Sequence, residues 1–152
     1  MATKTVSVDV AYNEVVCSVE SIKNDEHAVI ATMSPGDVLR QGDCYVIALD
    51  REIPGGKPTS RQLAPGNTQG SRHIAEGDCD VLSVPEAEAI EAINRMVPAT
   101  KGQTLFVGPM IRARGSVRIV HPEHGDRTIP GDACYLVTIQ RTWAQEIRRT
   151  MD

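Results

Sequence analysis

Aromatic side chains are nearly missing: the 152 residues include one Trp, three Tyr and one Phe. Proteins that grip single-stranded nucleic acid stack bases on aromatic rings, so this chain is poorly supplied for that task, and its net charge of −4 points the same way. No apolar run approaches the roughly 20 residues of a membrane-crossing helix. The opening MATKTVSVDV lacks the apolar core and cleavage site of a secretory signal. The expectation is therefore a protein of the producing cell's cytoplasm, or of a virion made there, with neither membrane nor nucleic acid as partner. Catalytic signatures are missing too. There is no G-x-S-x-G, no G-x-x-x-x-G-K and no G-x-G-x-x-G, which removes the recognisable hydrolase, nucleotide and dinucleotide motifs. Cys17, Cys44, Cys79 and Cys134 form no C-x-x-C and have no histidine beside them in sequence, so they read as buried thiols.

What is present is strand pattern. Between Gly108 and Trp143, Ile111, Ala113, Val117 and Ile119 share one parity, and Arg112, Arg114, Ser116 and Arg118 the other. A period of two sends each set to its own face of a strand. A second run places Tyr135, Val137, Ile139 and Trp143 opposite Leu136, Thr138, Gln140 and Thr142. The intervening HPEHGDRTIPGD is dense in turn formers, which predicts a long antiparallel hairpin with an elaborated connection. Further strands are predicted at 3–10, at Glu14–Val19, His27–Met33 and Ser60–Ala64, and from Cys79 to Val84. The Pro- and Gly-rich stretch 54–70 reads as a long surface loop.

One helix stands out near 84–97. Ser83 and Glu86 have capping-box spacing, and Pro85 suits a first turn. Ala87, Ile90, Ile93 and Val97 form its apolar stripe, and Pro98 ends it. Another one or two helical turns are predicted over Ala144–Met151. The fold class that follows is mainly β, an antiparallel sandwich or barrel-like sheet with one amphipathic helix. Gly-Asp recurs at 36–37, 42–43, 77–78, 125–126 and 131–132. These are turn signals, since the spacing of a calcium loop is absent. GDCYVI at 42–47 and GDACYLV at 131–137 lead into two similar strands.

Charge is unevenly spread. Residues 1–38 carry six acidic and two basic groups, and residues 100–152 five acidic and eight basic. An acidic arm led by Val6, Val8 and Val10 could add a strand to another copy and meet its basic end. Arg112, Arg114 and Arg118, on one strand face, are candidates for an anion or a partner surface. His73, His121 and His124 are the candidate metal ligands, suited to Zn or Fe if the loops converge, with Glu123 or Glu76 as the accompanying carboxylate.

GDRTIPGDACY at 125–135 resembles the glycine–proline–glycine run of the second cupin motif. The histidine expected after that run is replaced near Cys134 or Tyr135. The paired H-x-H of the first motif is absent, as Gly70-Ser71-Arg72-His73 holds one histidine. RQGD at 40–43, RQLAPGNTQGSRHI at 61–74 and HPEHGDRTIPGDACYLVTIQR at 121–141 together resemble a group of small uncharacterised proteins from bacterial genomes, phages and other mobile elements. That resemblance spans residues 39–143, leaving 1–38 as a β-rich N-terminal arm on a domain of 39–152. It implies no catalytic residues. The first functional expectation is a non-enzymatic structural or assembly protein that associates with itself or with other structural subunits, such as a phage capsid accessory component, without a cofactor. The alternatives are a cupin-like metal-binding protein or enzyme, and an anion- or ligand-binding accessory domain.

Overall fold

The computed structural model describes residues 26–64, 72–102 and 106–139. It is mainly β with one helix, its sheet strongly curled into a half-barrel. The strands are β1 (Ala28–Val29), β2 (Val38–Gln41), β3 (Cys44–Ala48), β4 (Lys57–Pro58), β5 (Ile74–Ser83), β6 (Phe106–Val120), β7 (Arg127–Ile129) and β8 (Ala133–Ile139). The helix, α1 (Glu86–Met96), lies between β5 and β6, with a 3-10 turn at Pro98–Thr100 after it.

The predicted hairpin is the centre of the sheet. β6 pairs with β8 from Phe106↔Ile139 to Ala113↔Ala133, and with β7 from Val117↔Ile129 to Ile119↔Arg127. Its other edge pairs with β5, and β8 carries the sheet on through β3 to β2. The two similar strands after Gly42-Asp43 and Gly131-Asp132 are direct neighbours, with Cys44↔Ile139 and Ala48↔Tyr135 in register. The expected parity holds in β6, where Ile111, Ala113, Val117 and Ile119 are buried.

Two irregularities bend β6. Four steps along it, Ala113 to Val117, oppose two along β5, Gly77 to Cys79. The even excess keeps the faces in phase while sharpening the curl. Gly77, at φ +126°, lies so close to the carbonyl oxygen of Ser116 that a Cβ would sit 2.6 Å from it. Arg61 satisfies the local carbonyls, donating to the oxygens of Ala75, Gly77 and Cys79. Near the start of β6, three steps from Val107 to Met110 oppose two along β8.

Both faces of the sheet carry a core. Leu39, Val46, Ile111, Val117, Ile129, Tyr135 and Val137 are among those filling the concave side. Ile47, Leu82, Met110 and Leu136 meet Ala89, Ala92 and Ile93 of α1 on the other side. This explains why β3 and β8 are apolar at successive positions, a pattern that alternation alone does not show.

Several expectations change. The strand predicted over His27–Met33 shrinks to β1, which lies parallel to β7. Ser60–Ala64 contributes one bridge, Gln62↔Ile74. The capping box does not form: Ser83 ends β5 opposite Lys57, Pro85 is the N-cap residue, and no side chain caps the helix. The buried stripe of α1 is Ala89, Ala92 and Ile93, while Ala87 is exposed and Ile90 half-buried. The arm boundary at 38 falls inside β2, and residues 28–29 belong to the same sheet. The strands predicted at 3–10, with Val6, Val8 and Val10, and at Glu14–Val19 lie outside the described residues, as do Trp143 and the turns over Ala144–Met151. Among the described residues no helix is long and apolar enough to cross a membrane.

Candidate functional site

The curl brings the end of β2 back towards the end of β6, and the seam between them is polar. Gln41, the last residue of β2, donates from Nε2 to the carbonyl oxygens of Ile119 (3.0 Å) and Gly125 (2.9 Å). One buried amide thus replaces a stretch of ladder across the seam. Gly42 and Asp43 form the tight turn into β3, with Gly42 at φ +59°, where glycine bears no steric cost.

The three candidate histidines converge here. His73 immediately precedes β5 and His121 immediately follows β6, so the pair Ile74↔Val120 sets them side by side. Their ring centroids are 4.3 Å apart, and those of His121 and His124 are 4.6 Å apart. His73 is 1% exposed and His121 9%. A Cβ on Gly42 would lie 2.8 Å from Nε2 of His124 and 3.4 Å from Cε1 of His73, so the turn backbone is wedged against both rings. The segments RQGD, SRHI and HPEHGD, far apart in sequence, therefore meet at one place.

The hydrogen bonds fix protons. Gln41 has committed its amide hydrogens to two carbonyls, so its Oε1 must accept from Nδ1 of His73, at 2.9 Å. With Nδ1 protonated, the Nε2 of His73 faces the Oδ1 of Asp43 at 3.3 Å. A cation placed between two electron-rich atoms at that separation would be held by both. Donors at about 2.0–2.1 Å from a tetrahedral ion stand roughly 3.3–3.4 Å apart, so this pair has the spacing of one edge of such a site. His121 is different: its Nδ1 accepts from the backbone N–H of Glu123 at 3.0 Å. Burial, with the neighbouring His73 and His124 next, pushes its pKa down to about 4, against a smaller upward pull from Glu123 and Asp43. It is a neutral ring at neutral pH.

The carboxylate that faces His73 is that of Asp43, at 3.3 Å. Glu76 pairs instead with Arg118 at 2.8 Å. Cys44, next to Asp43, is fully buried, and burial followed by the Asp43 charge holds its thiol far above the ordinary range, so it is not a nucleophile. The remaining histidine, His27, accepts at Nδ1 from the backbone N–H of Asp126 at 3.0 Å. Among the described residues no three His, Cys, Asp or Glu side chains already surround one point as metal ligands would.

Arg112, Arg114 and Arg118 are met by acids. Thr138 is buried opposite Tyr45 and Val107, away from the arginines. The neighbours are Glu76, Asp78 and Asp80 of β5, together with Glu52 and Asp126 from loops. Arg112 meets Asp80 at 2.9 Å and Glu52 at 2.6 Å, and Arg114 meets Asp78 at 2.9 Å and Asp80 at 2.6 Å. Arg118 adds Asp126 at 3.7 Å to its bond with Glu76. These carboxylates neutralise the anion-attracting potential of the row. The described residues also leave an open cleft of about 480 Å³, lined by Gln62, Glu86, Phe106 and Ile139 among others. Two of its lining residues pair with neighbours of the site, Gln62 with Ile74 and Ile139 with Cys44, and Glu86 is the one ionisable side chain in its lining.

Gln41 and Asp43 lie in the RQGD segment at 40–43, which carried a resemblance but named neither as a site residue. The Gly-Asp turn at 42–43 was the available signal, and it marks a turn without revealing which side chains face it. The chain matches no protein-family model, no curated protein and no solved structure.

Proposed function

We propose that this protein binds a divalent transition-metal ion, zinc or iron, at the seam between the ends of β2 and β6. This is the cupin-like alternative among the sequence expectations, and it moves ahead of the assembly reading. The observation that supports it best is the Nε2 of His73, fixed as a donor atom by Gln41 and set 3.3 Å from the Asp43 carboxylate. Orientation of a ligating imidazole through its second nitrogen is the usual support of a metal site. A bound ion would supply Lewis acidity towards an oxygen ligand. The residues hold the donors still, exclude water from the buried side and leave Asp43 partly open, at 30% exposure. Elemental analysis of protein purified without chelators, with calorimetric titration of Zn²⁺ and Fe²⁺, tests the reading. Saturable binding of one ion per chain supports it, and no binding of either rejects it.

A second reading, a structural or assembly subunit such as a virion component, rests on a different observation. Val29, on β1 at one end of the strand order, is 78% exposed, the one exposed large apolar side chain among the described residues. Self-association in light scattering, weakened by Val29→Asp or by deletion of residues 1–25, would favour it. The deletion stops there because β1 and β2 belong to the sheet. A strictly monomeric wild type would exclude self-association.

A further inference from the structure

We infer that the ion is held by Nε2 of His73, the carboxylate of Asp43 and the imidazole of His124, that Gln41 is the positioning residue for this set, and that His121 stands outside it. This inference rests on the metal-binding reading and specifies its ligands.

Each assignment has its own ground. His73 has a single nitrogen to offer, because its Nδ1–H is engaged by Gln41. That residue is locked by the backbone oxygens of Ile119 and Gly125, so the lone pair of Nε2 can point only towards Asp43. Asp43 is the one member of the cluster with both a carboxylate near that nitrogen and access to solvent, which gives an ion its entry path. His124 is the third donor because its Nε2 edge already lies against Gly42, the residue between Gln41 and Asp43, where His73 also makes its close approach. His121 is disqualified by its hydrogen bond. The Glu123 amide occupies the lone pair of Nδ1, so the neutral ring carries its proton on Nε2 and has no second lone pair to give.

The result is a two-histidine, one-carboxylate set with its remaining positions left to water or an oxygen ligand. Such donors suit Zn²⁺ or Fe²⁺, whereas Ca²⁺ and Mg²⁺ favour all-oxygen surroundings. Closing the set requires the His124 ring to move, since no three such side chains among the described residues yet surround one point.

The test uses the full chain, uniformly labelled with ¹⁵N, titrated with Zn²⁺ while the histidine ring nitrogens are followed by long-range ¹H–¹⁵N correlation. His73 should keep its Nδ1–H signature while Nε2 takes on a metal-bound shift. His124 should change, and His121 should keep the Nε2–H tautomer throughout. In calorimetry, Gln41→Leu should weaken Zn²⁺ binding by about 10–100-fold, the usual effect of losing an orienting neighbour. Asp43→Asn and His124→Ala should weaken it further, and His121→Asn should retain it. A metal-bound signature at His121, or unchanged affinity in Asp43→Asn, overturns this ligand set while leaving metal binding intact. Absence of Zn²⁺ and Fe²⁺ binding overturns both. If a variant fails to fold, the spectra of the wild type decide alone.

Discussion

His121 is expected to make the metal-free fold lose stability as the pH falls from 6.5 towards about 4, the two limits of its titration. In the unfolded chain the ring titrates at its ordinary value. In the folded chain burial first, then the neighbouring His73 and His124, resist protonation. Between the two values the unfolded chain binds a proton that the folded chain refuses, so stability falls as the pH is lowered through this window. At about 1.4 kcal/mol per pH unit, the gap is worth up to roughly 3 kcal/mol, a large share of the 5–15 kcal/mol or so by which domains are commonly stable. Urea unfolding followed by circular dichroism, in a chelating buffer at steps from about pH 7.5 to 4.5, measures it. The comparison is His121→Asn, which keeps an oxygen to accept the Glu123 amide but has no proton to gain. Carboxylates titrate in both proteins, so the difference in slope isolates His121. Asp50, held low by Arg95, and Asp80, held low by Arg114 and then Arg112, lose their charge below the ordinary carboxylate range. Parallel slopes for wild type and variant would refute the reasoning.

Three further outcomes follow from individual contacts. Gln41→Leu strands the oxygens of Ile119 and Gly125 and the Nδ1–H of His73; at roughly 1–3 kcal/mol for each orphaned buried group, urea unfolding should show a loss of about 3 kcal/mol or more. Gly131→Ala would place a Cβ 2.7 Å from the Gly115 Cα and 2.8 Å from the Arg114 oxygen. Because backbone must shift, the expected loss is about 1–3 kcal/mol in thermal or urea unfolding. Ser83→Ala, at an exposed strand end with no cap to lose, should change stability by less than about 0.5 kcal/mol, and a clearly larger loss would reinstate the capping box.

The central strands were legible because one face of β6 is wet: arginines alternating with Ile111, Ala113, Val117 and Ile119 leave no other assignment. β8 lies under α1 on one side and the concave core on the other, so both its parities are apolar and its sequence did not show where the helix would sit. The helix itself was legible from its composition, yet its buried stripe was misplaced. Ala89 and Ala92 are small enough to let the helix approach the sheet closely, and a stripe chosen by hydrophobicity favours Ile90 instead. Ser83-x-x-Glu86 carried the spacing of a cap, but ladder pairing with Lys57 claimed Ser83 for β5. At the site, the histidines could be singled out by residue type. Their convergence depends on the curl of the sheet, which arises from bulges opposite Gly77 and near Gly108. Asp43 and Gln41 became visible only once that curl brought β2 against β6.

The seam also has a consequence for the order in which the molecule is assembled. Gln41 is separated by 78 residues from Ile119 and by 84 from Gly125. The β2–β3 hairpin can form early from local contacts, but its terminal amide finds no acceptors until β6 and the loop after it are in place. Contacts so distant in sequence bear the full entropic cost of closing the intervening chain. Gln41 is therefore a latch that cannot engage before β6 and its following loop are placed, and only then does His73 acquire a fixed donor nitrogen. Under the proposed metal reading, a nascent chain would offer loose imidazoles with little power to discriminate between metals, and the finished chain an oriented His73 beside Asp43. An ion that favours the latched form would stabilise the whole fold by mass action, so ion capture and completion of the fold would be a single event.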